Sequence, residues 1–262
     1  MKRALVLAWS YLRLAIMNEL QYRVNFFIQL FESALALMTA LVVLALVYSH
    51  TDNLAGWQRG ELQALLGVFT MLMAILQTSI QPNVVRLLSD IQQGTFDFVL
   101  VKPIDAQWQV SIREVRIWQL VDGAAGAVIM GHALWQLHAH LSLTQIALFV
   151  LTLSCGAILI YCVMLLLASL AFWAVRIDTV FEIIESITGA GRMPTDIYPR
   201  WMRIILTFVV PLAFAVTVPA QVITSRATSV DVLTQLGVTV LFFGVTRVVW
   251  QKAVAHYNGA SA

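Results

Sequence analysis

The chain has 262 residues, 60% of them hydrophobic and 11% charged, with a mean hydropathy of +0.83. A water-soluble domain keeps about a quarter of its residues charged. There is too little polar side chain here to cover a globule in water, so an integral membrane protein is the expected class. The net charge of +2, with no basic run longer than two residues, carries no signature of nucleic-acid binding. No low-complexity tract and no Pro/Gly/Ser linker interrupts the chain, and 1–262 reads as a single transmembrane domain.

Residues 1–23 are amphipathic. Leu5, Val6, Trp9, Leu12, Ile16 and Leu20 recur at helical spacing on one side, while Lys2, Arg3, Arg13, Glu19 and Arg23 lie mostly elsewhere. Such a helix is expected to lie in the headgroup plane. Lys2 and Arg3 open like a signal peptide, but Arg13 cuts the apolar run and no small-x-small cleavage site precedes Glu19. Val24 to Tyr48 is the first expected span and holds Glu32, with Tyr48 and Trp57 marking the far interface. Leu62 to Ile80 is the second, ended by Pro82.

A polar connection over 83–114 follows, with Arg86, Lys102 and Arg113. Val115 to Trp135 is the third span. It contains Asp122, and Gly123, Gly126 and Gly131 give it a face that other helices can approach closely. Leu141 to Val175 has no charge. At about 1.5 Å per residue it is roughly 50 Å long, so it tilts, projects beyond the bilayer or includes part of the preceding loop. Residues 177–200 are ambiguous, since Glu182, Glu185 and Arg192 interrupt their apolar positions. The run 202–223 is apolar but carries Pro211 and Pro219, and Val230 to Trp250 is the last strong span.

Six crossings put both termini on one side. With 202–223 as the fifth span, fourteen Lys and Arg share the side of the termini and of 83–114, against two opposite (Arg59 and Arg226). The positive-inside bias makes that side cytoplasmic.

Two stretches carry a family likeness. Gly94-Thr95-Phe96-Asp97, then Leu100 and Pro103, resembles the coupling-helix pattern of ABC-2 type exporter permeases. Tyr198-Pro199-Arg200-Trp201, followed by Pro211 and Pro219, resembles the extracellular element of the family's small stand-alone permeases. With the six-span layout, the likeness covers nearly the whole chain. It implies an all-α membrane protein of six transmembrane helices, an interfacial N-terminal helix, a cytoplasmic coupling helix and an extracellular re-entrant helix pair before the last span. On that version 178–197 crosses and 200–224 dips in and returns, and the basic count becomes eleven against five, still with cytoplasmic termini. Either 178–197 or 202–223 serves as the fifth span.

The resemblance also implies a function. Two permeases, identical or paired with a sister chain, surround a pathway in the cytoplasmic or inner membrane, and separate ATPase subunits drive export of a small molecule such as an organic cation or drug. This chain has no Walker A motif, so it is expected to be no enzyme and to bind no cofactor itself, with ATP and Mg held in the partner ATPase. The implied coupling residues are Gly94, Thr95, Phe96, Asp97, Leu100, Lys102 and Pro103. Thr95 is expected as helix N-cap, with Phe96 and Phe98 as apolar anchors for the partner.

Glu32, Asp122, Glu182, Glu185 and Arg192 are candidate pathway charges, or else carboxylates paired near span ends. Tyr198, Pro199, Trp201, Pro211 and Pro219 are candidate extracellular gate residues. His132, His138 and His140 read as an interfacial loop, and no metal is expected. The alternative function is an ion- or proton-coupled secondary transporter, which leaves the GTFD segment unexplained and shows no inverted repeat.

Overall fold

The computed structural model describes residues 17, 23–50, 54, 56–139, 141–173 and 192–257. The expected interfacial helix over 1–23 lies outside them but for Met17 and Arg23, as do Glu182 and Glu185. The regular elements among the described residues are helices. In chain order they are α1 (Arg23–Tyr48), α2 (Arg59–Gln92), the short α3 (Asp97–Leu100) and α4 (Ala106–Ser111), α5 (Ile117–Gln136), α6 (Leu143–Phe172), α7 (Arg200–Phe208), α8 (Ala213–Ile223) and α9 (Ser229–Ala255).

Four of these, α2, α5, α6 and α9, are long and apolar enough to cross a membrane. The pair α7 and α8, bent by 77°, gives a fifth if counted as one span. The apolar stretch of α1, Leu30–Leu46, is shorter. Of six expected crossings, four therefore stand on length and composition among the described residues.

Local sequence sets where the long helices begin. The amide of Gln58 donates to Glu61 at 2.8 Å, Ser142 Oγ accepts the Gln145 amide at 3.1 Å, and Thr228 and Asp231 cap each other's amides. Each satisfies amides that the first turn leaves without a helical acceptor.

Pro82 does not end the second span as expected. The helix runs through it to Gln92 because Leu76–Ile80 widens into a π turn, with the Gln81 amide bonded to Leu76 O. In a regular helix Thr78 O would need the N–H that proline lacks. Here Thr78 O accepts the Arg116 amide at 2.8 Å instead. Pro219 is accommodated alike, two residues after the π turn Ala213–Thr217, whereas the chain does break around Pro211. At about 1.5 Å per residue α2 is about 50 Å long, so part of it stands beyond a roughly 30 Å hydrocarbon core.

α2 packs most extensively on α5, and α9 on α6. A Cβ built on Gly67 would lie 2.7 Å from Gly126 O, and one on Gly126 would lie 2.7 Å from Gly67 O. Gly123 faces Ala74, but Gly131 has nothing within 4 Å. Two of the three glycines thus do what the sequence suggests and the third faces outward.

The bundle has two distinguishable ends. At one, Tyr48 Oη donates to Trp57 O at 2.8 Å, Trp57 Nε1 to Asp196 at 3.3 Å, and Arg226 to Glu61 at 2.6 Å. The start of α6 joins this end through Gln145 Nε2, which donates to Ser225 Oγ at 2.8 Å. At the other end Phe96 lies among Phe172, Trp250 and Tyr257. Phe172 and Asp196 therefore stand at opposite ends, and both termini of the α7–α8 pair return to the Trp57 end.

Candidate functional site

The turn that leaves α2 is built on Gly94, whose φ of +67° is a left-handed value that glycine adopts without a Cβ clash. Asp90 O then accepts the amides of Thr95 at 2.9 Å and Phe96 at 3.2 Å. Thr95 is not the N-cap of α3. Its hydroxyl donates back to Asp90 Oδ1 at 3.2 Å, and Phe96 occupies the cap position.

Phe96 is 0% exposed, with its ring edge-on to Phe172 at 5.4 Å, Tyr257 at 5.2 Å and Trp250 at 6.3 Å. It is an internal anchor and not a residue offered to a partner. Burying such a side chain contributes about 1.5–3 kcal/mol. Burial, and then the carboxylates of Asp97 and Asp90, push the Tyr257 phenol above its ordinary value. Two residues on, Phe98 is 74% exposed, and Val101 is 83% exposed. Leu100, Lys102 and Pro103 are exposed beside them. The segment is thus fastened from inside by Phe96 and presents an apolar ridge from Phe98 to Val101, flanked by Lys102.

Behind the ridge lies a charged cluster. Asp90, only 6% exposed, pairs with Arg113 at 2.5 Å and Arg86 at 3.6 Å, and Arg86 also meets Glu114 at 3.1 Å. Arg86, Asp90 and Arg113 line an open pocket of about 510 Å³ together with Gln93, Phe98 and Lys102. The return strand of chain is held by Asn83. Its Oδ1 accepts the amides of Arg113 and Glu114, each at 2.9 Å, and its Nδ2 donates to Glu114 O at 2.8 Å.

Further on, Asp105 caps α4 by accepting the Trp108 amide at 3.2 Å and takes both terminal nitrogens of Arg247 from α9. That guanidinium holds the Asp105 carboxyl below the usual carboxylate range, against a smaller opposing effect of burial. Arg247 also reaches Gln107 at 2.8 Å, and Gln107 and Ser111 both bond Tyr161 of α6, at 3.1 and 2.8 Å. The whole 94–116 segment is therefore tied to α2, α6 and α9. Sequence reading missed Asn83, Asp90, Arg113 and Arg247. An aspartate directly before Ala106-Gln107-Trp108 did offer an N-cap signal.

The other expected residues are scattered. Glu32 and Arg192 line one cavity between α1 and α2. Asp122 sits in the first turn of the α-helical part of α5, which begins at Leu120, where a carboxylate suits the helix dipole. Pro199 precedes α7, Trp201 is exposed, and Tyr198 packs on a small cluster of Val163, Leu206, Val210 and Leu212. At the Trp57 end, Arg226 lies 4.7 Å over the Trp57 ring and donates to Gly56 O at 3.0 Å. His132 faces Trp135, and His140 lies outside the described residues. Among the described residues, no three His, Cys, Asp or Glu side chains converge.

Residues 34–261 match the model of a family described as ABC-2 family transporter protein. No curated protein and no solved structure matches the chain.

Proposed function

The chain belongs to the ABC-2 family of transporter proteins, and we propose on that premise that it is the membrane permease of an exporter driven by a separate ATPase. The observation that carries this reading is the division of labour within 96–101. Phe96 is locked into the core, while Phe98 and Val101 project uncovered from the end of the bundle. Exposed aromatic and aliphatic anchors beside a cation are what a protein interface uses. A ridge tied to α2, α6 and α9 transmits a push into the bundle. ATP and Mg belong to the partner on this reading, because these 262 residues carry no Walker A motif. The chain is then a transport subunit and not an enzyme, and it pairs with itself or with a sister permease around the pathway.

The arrangement of the two ends supports six crossings. Phe172 and Asp196 stand at opposite ends, which supports the reading with 178–197 as the fifth span and α7–α8 as the re-entrant pair. With that topology eleven basic residues lie on the Phe96 side and five on the Trp57 side, which makes the termini and the ridge cytoplasmic. A small molecule is the exported class, with Glu32 and Arg192 as pathway charges.

The test is co-purification from detergent-solubilised membranes that contain the neighbouring ATPase. Wild type retains the ATPase, and Phe98→Ala combined with Val101→Ser loses it without change in thermal midpoint. Retention of the ATPase by the double variant sinks the ridge, and absence of any ATPase from the wild-type sample sinks the exporter reading in favour of ion-driven transport.

A further inference from the structure

A cavity of about 410 Å³ runs between α1 and α2, within the range of small-molecule sites. Glu32, Leu35, Thr39 and Val43 line it at i, i+3, i+7 and i+11, one face of α1, and Leu62 and Arg192 help close it. The lining from Glu32 to Leu44 spans thirteen residues, about 18 Å of helix. Among the described residues its charged members are Glu32 and Arg192, no ion pair joins them, and neither has an ion-pair partner.

The two charges belong to different parts of the slot. Arg192 precedes Asp196, which meets Trp57, so its backbone lies toward the Trp57 end. Glu32 lies sixteen residues before Tyr48, roughly 24 Å along α1 from that same end. Between them the described lining is hydrocarbon but for the hydroxyl of Thr39, which already donates to Leu35 O at 2.8 Å. A peptide or glycan would bring amides or hydroxyls into this wall with nothing to pair them, a cost of the order of 1–3 kcal/mol for each group. A body without hydrogen-bonding groups carries no such cost.

We infer that this slot binds an elongated apolar molecule with a cationic group at one end, held by Glu32, and an anionic group at the other, held by Arg192. Binding stands on the cavity alone. Only the further step, that the occupant is cargo, rests on the exporter reading.

The experiment measures equilibrium binding of radiolabelled 12-aminododecanoic acid to the full chain in maltoside micelles without any ATPase. Dodecylamine and dodecanoate compete as singly charged analogues. Wild type is expected to prefer the doubly charged compound about tenfold over either analogue, since losing a charged hydrogen-bond partner has about that effect. Glu32→Gln lowers its affinity to that of dodecanoate, and Arg192→Gln lowers it to that of dodecylamine. Ala40→Trp, which fills the slot and touches neither charge, abolishes binding of all three while the thermal midpoint holds. Equal binding of the three compounds, a preference for dodecylamine, no binding, or indifference to both charge variants overturns the assignment. ATP-driven uptake of the compound into inverted vesicles with the partner ATPase marks it as cargo. Binding without uptake marks a resident amphiphile, and both outcomes keep the site.

Discussion

The amide of Arg116 donates to the carbonyl of Thr78 at 2.8 Å, where Pro82 has no N–H to offer. The proline therefore opens a docking point in α2 that receives the end of the 94–116 segment. Asn83, the next residue, completes the attachment with its bonds to Arg113 and Glu114. Asn83→Ala leaves three part-buried backbone groups of Arg113 and Glu114 without this partner, and about 1–3 kcal/mol of stability should go with it. Thermal unfolding in detergent reads the loss, and hydrogen exchange at Arg113 and Glu114 should accelerate. Unchanged exchange at those two amides would show that Thr78 holds the segment alone.

Glycines on α5 separate a packed face from an open one. Gly67→Ala and Gly126→Ala each drive a methyl to within 2.7 Å of a backbone oxygen on the facing helix. Overpacking of that kind costs about 1–3 kcal/mol. Gly131→Ala meets open space and gains up to about 1 kcal/mol of helix propensity. Thermal midpoints of the three variants should fall, fall and hold or rise. A drop for Gly131→Ala as large as for Gly126→Ala would mean that a further surface covers that side of α5.

The Asp105–Arg247 pair predicts a pH dependence with a definite sign. The guanidinium depresses the folded carboxyl below its unfolded value. The pair's contribution is therefore complete above the unfolded carboxylate pKa of about 4 and is lost as pH falls further, through the folded value. Both side chains are more than a third exposed, so the effect stays below about 1 kcal/mol. Wild type should lose its stability advantage over Asp105→Asn as pH is lowered from neutral to below 4. An advantage that persists unchanged at low pH would show that the ion pair is not its source.

The sequence made the bundle legible where composition and period speak directly: the long apolar helices and the close approach at Gly126. It misled at the prolines. The three π turns, Leu76–Ile80, Ile205–Val209 and Ala213–Thr217, each end two residues before a proline, and only around Pro211 does the chain break. A wide turn that hands a carbonyl to a neighbour leaves no trace in local propensity, because the donor, Arg116, comes from a distant segment. The same holds for Arg247, which lies 142 residues from Asp105. Phe96 and Phe98 look alike in sequence. Their opposite fates follow from the bonds that Asp90 O makes to the amides of Thr95 and Phe96, which turn one ring inward and leave the other out.

That opposition gives the sharpest prediction. Phe96 fills the space between α6, α9 and Tyr257, in contact with three other rings. Phe96→Ala leaves a cavity there, at a cost of about 3–5 kcal/mol. Phe96→Leu recovers part of the volume but none of the edge-to-face geometry, which is worth about 0.5–1.5 kcal/mol per aromatic pair. Phe98→Ala removes an uncovered side chain and should change stability by no more than about 0.5 kcal/mol. The thermal midpoint of the solubilised chain alone should therefore rank wild type level with Phe98→Ala, then Phe96→Leu, then Phe96→Ala. Association with the ATPase should fall for Phe98→Ala despite its intact fold, and for Phe96→Ala only as far as the fold itself is lost. If Phe98→Ala melts as early as Phe96→Ala, the two rings share one structural role and the ridge is part of the core.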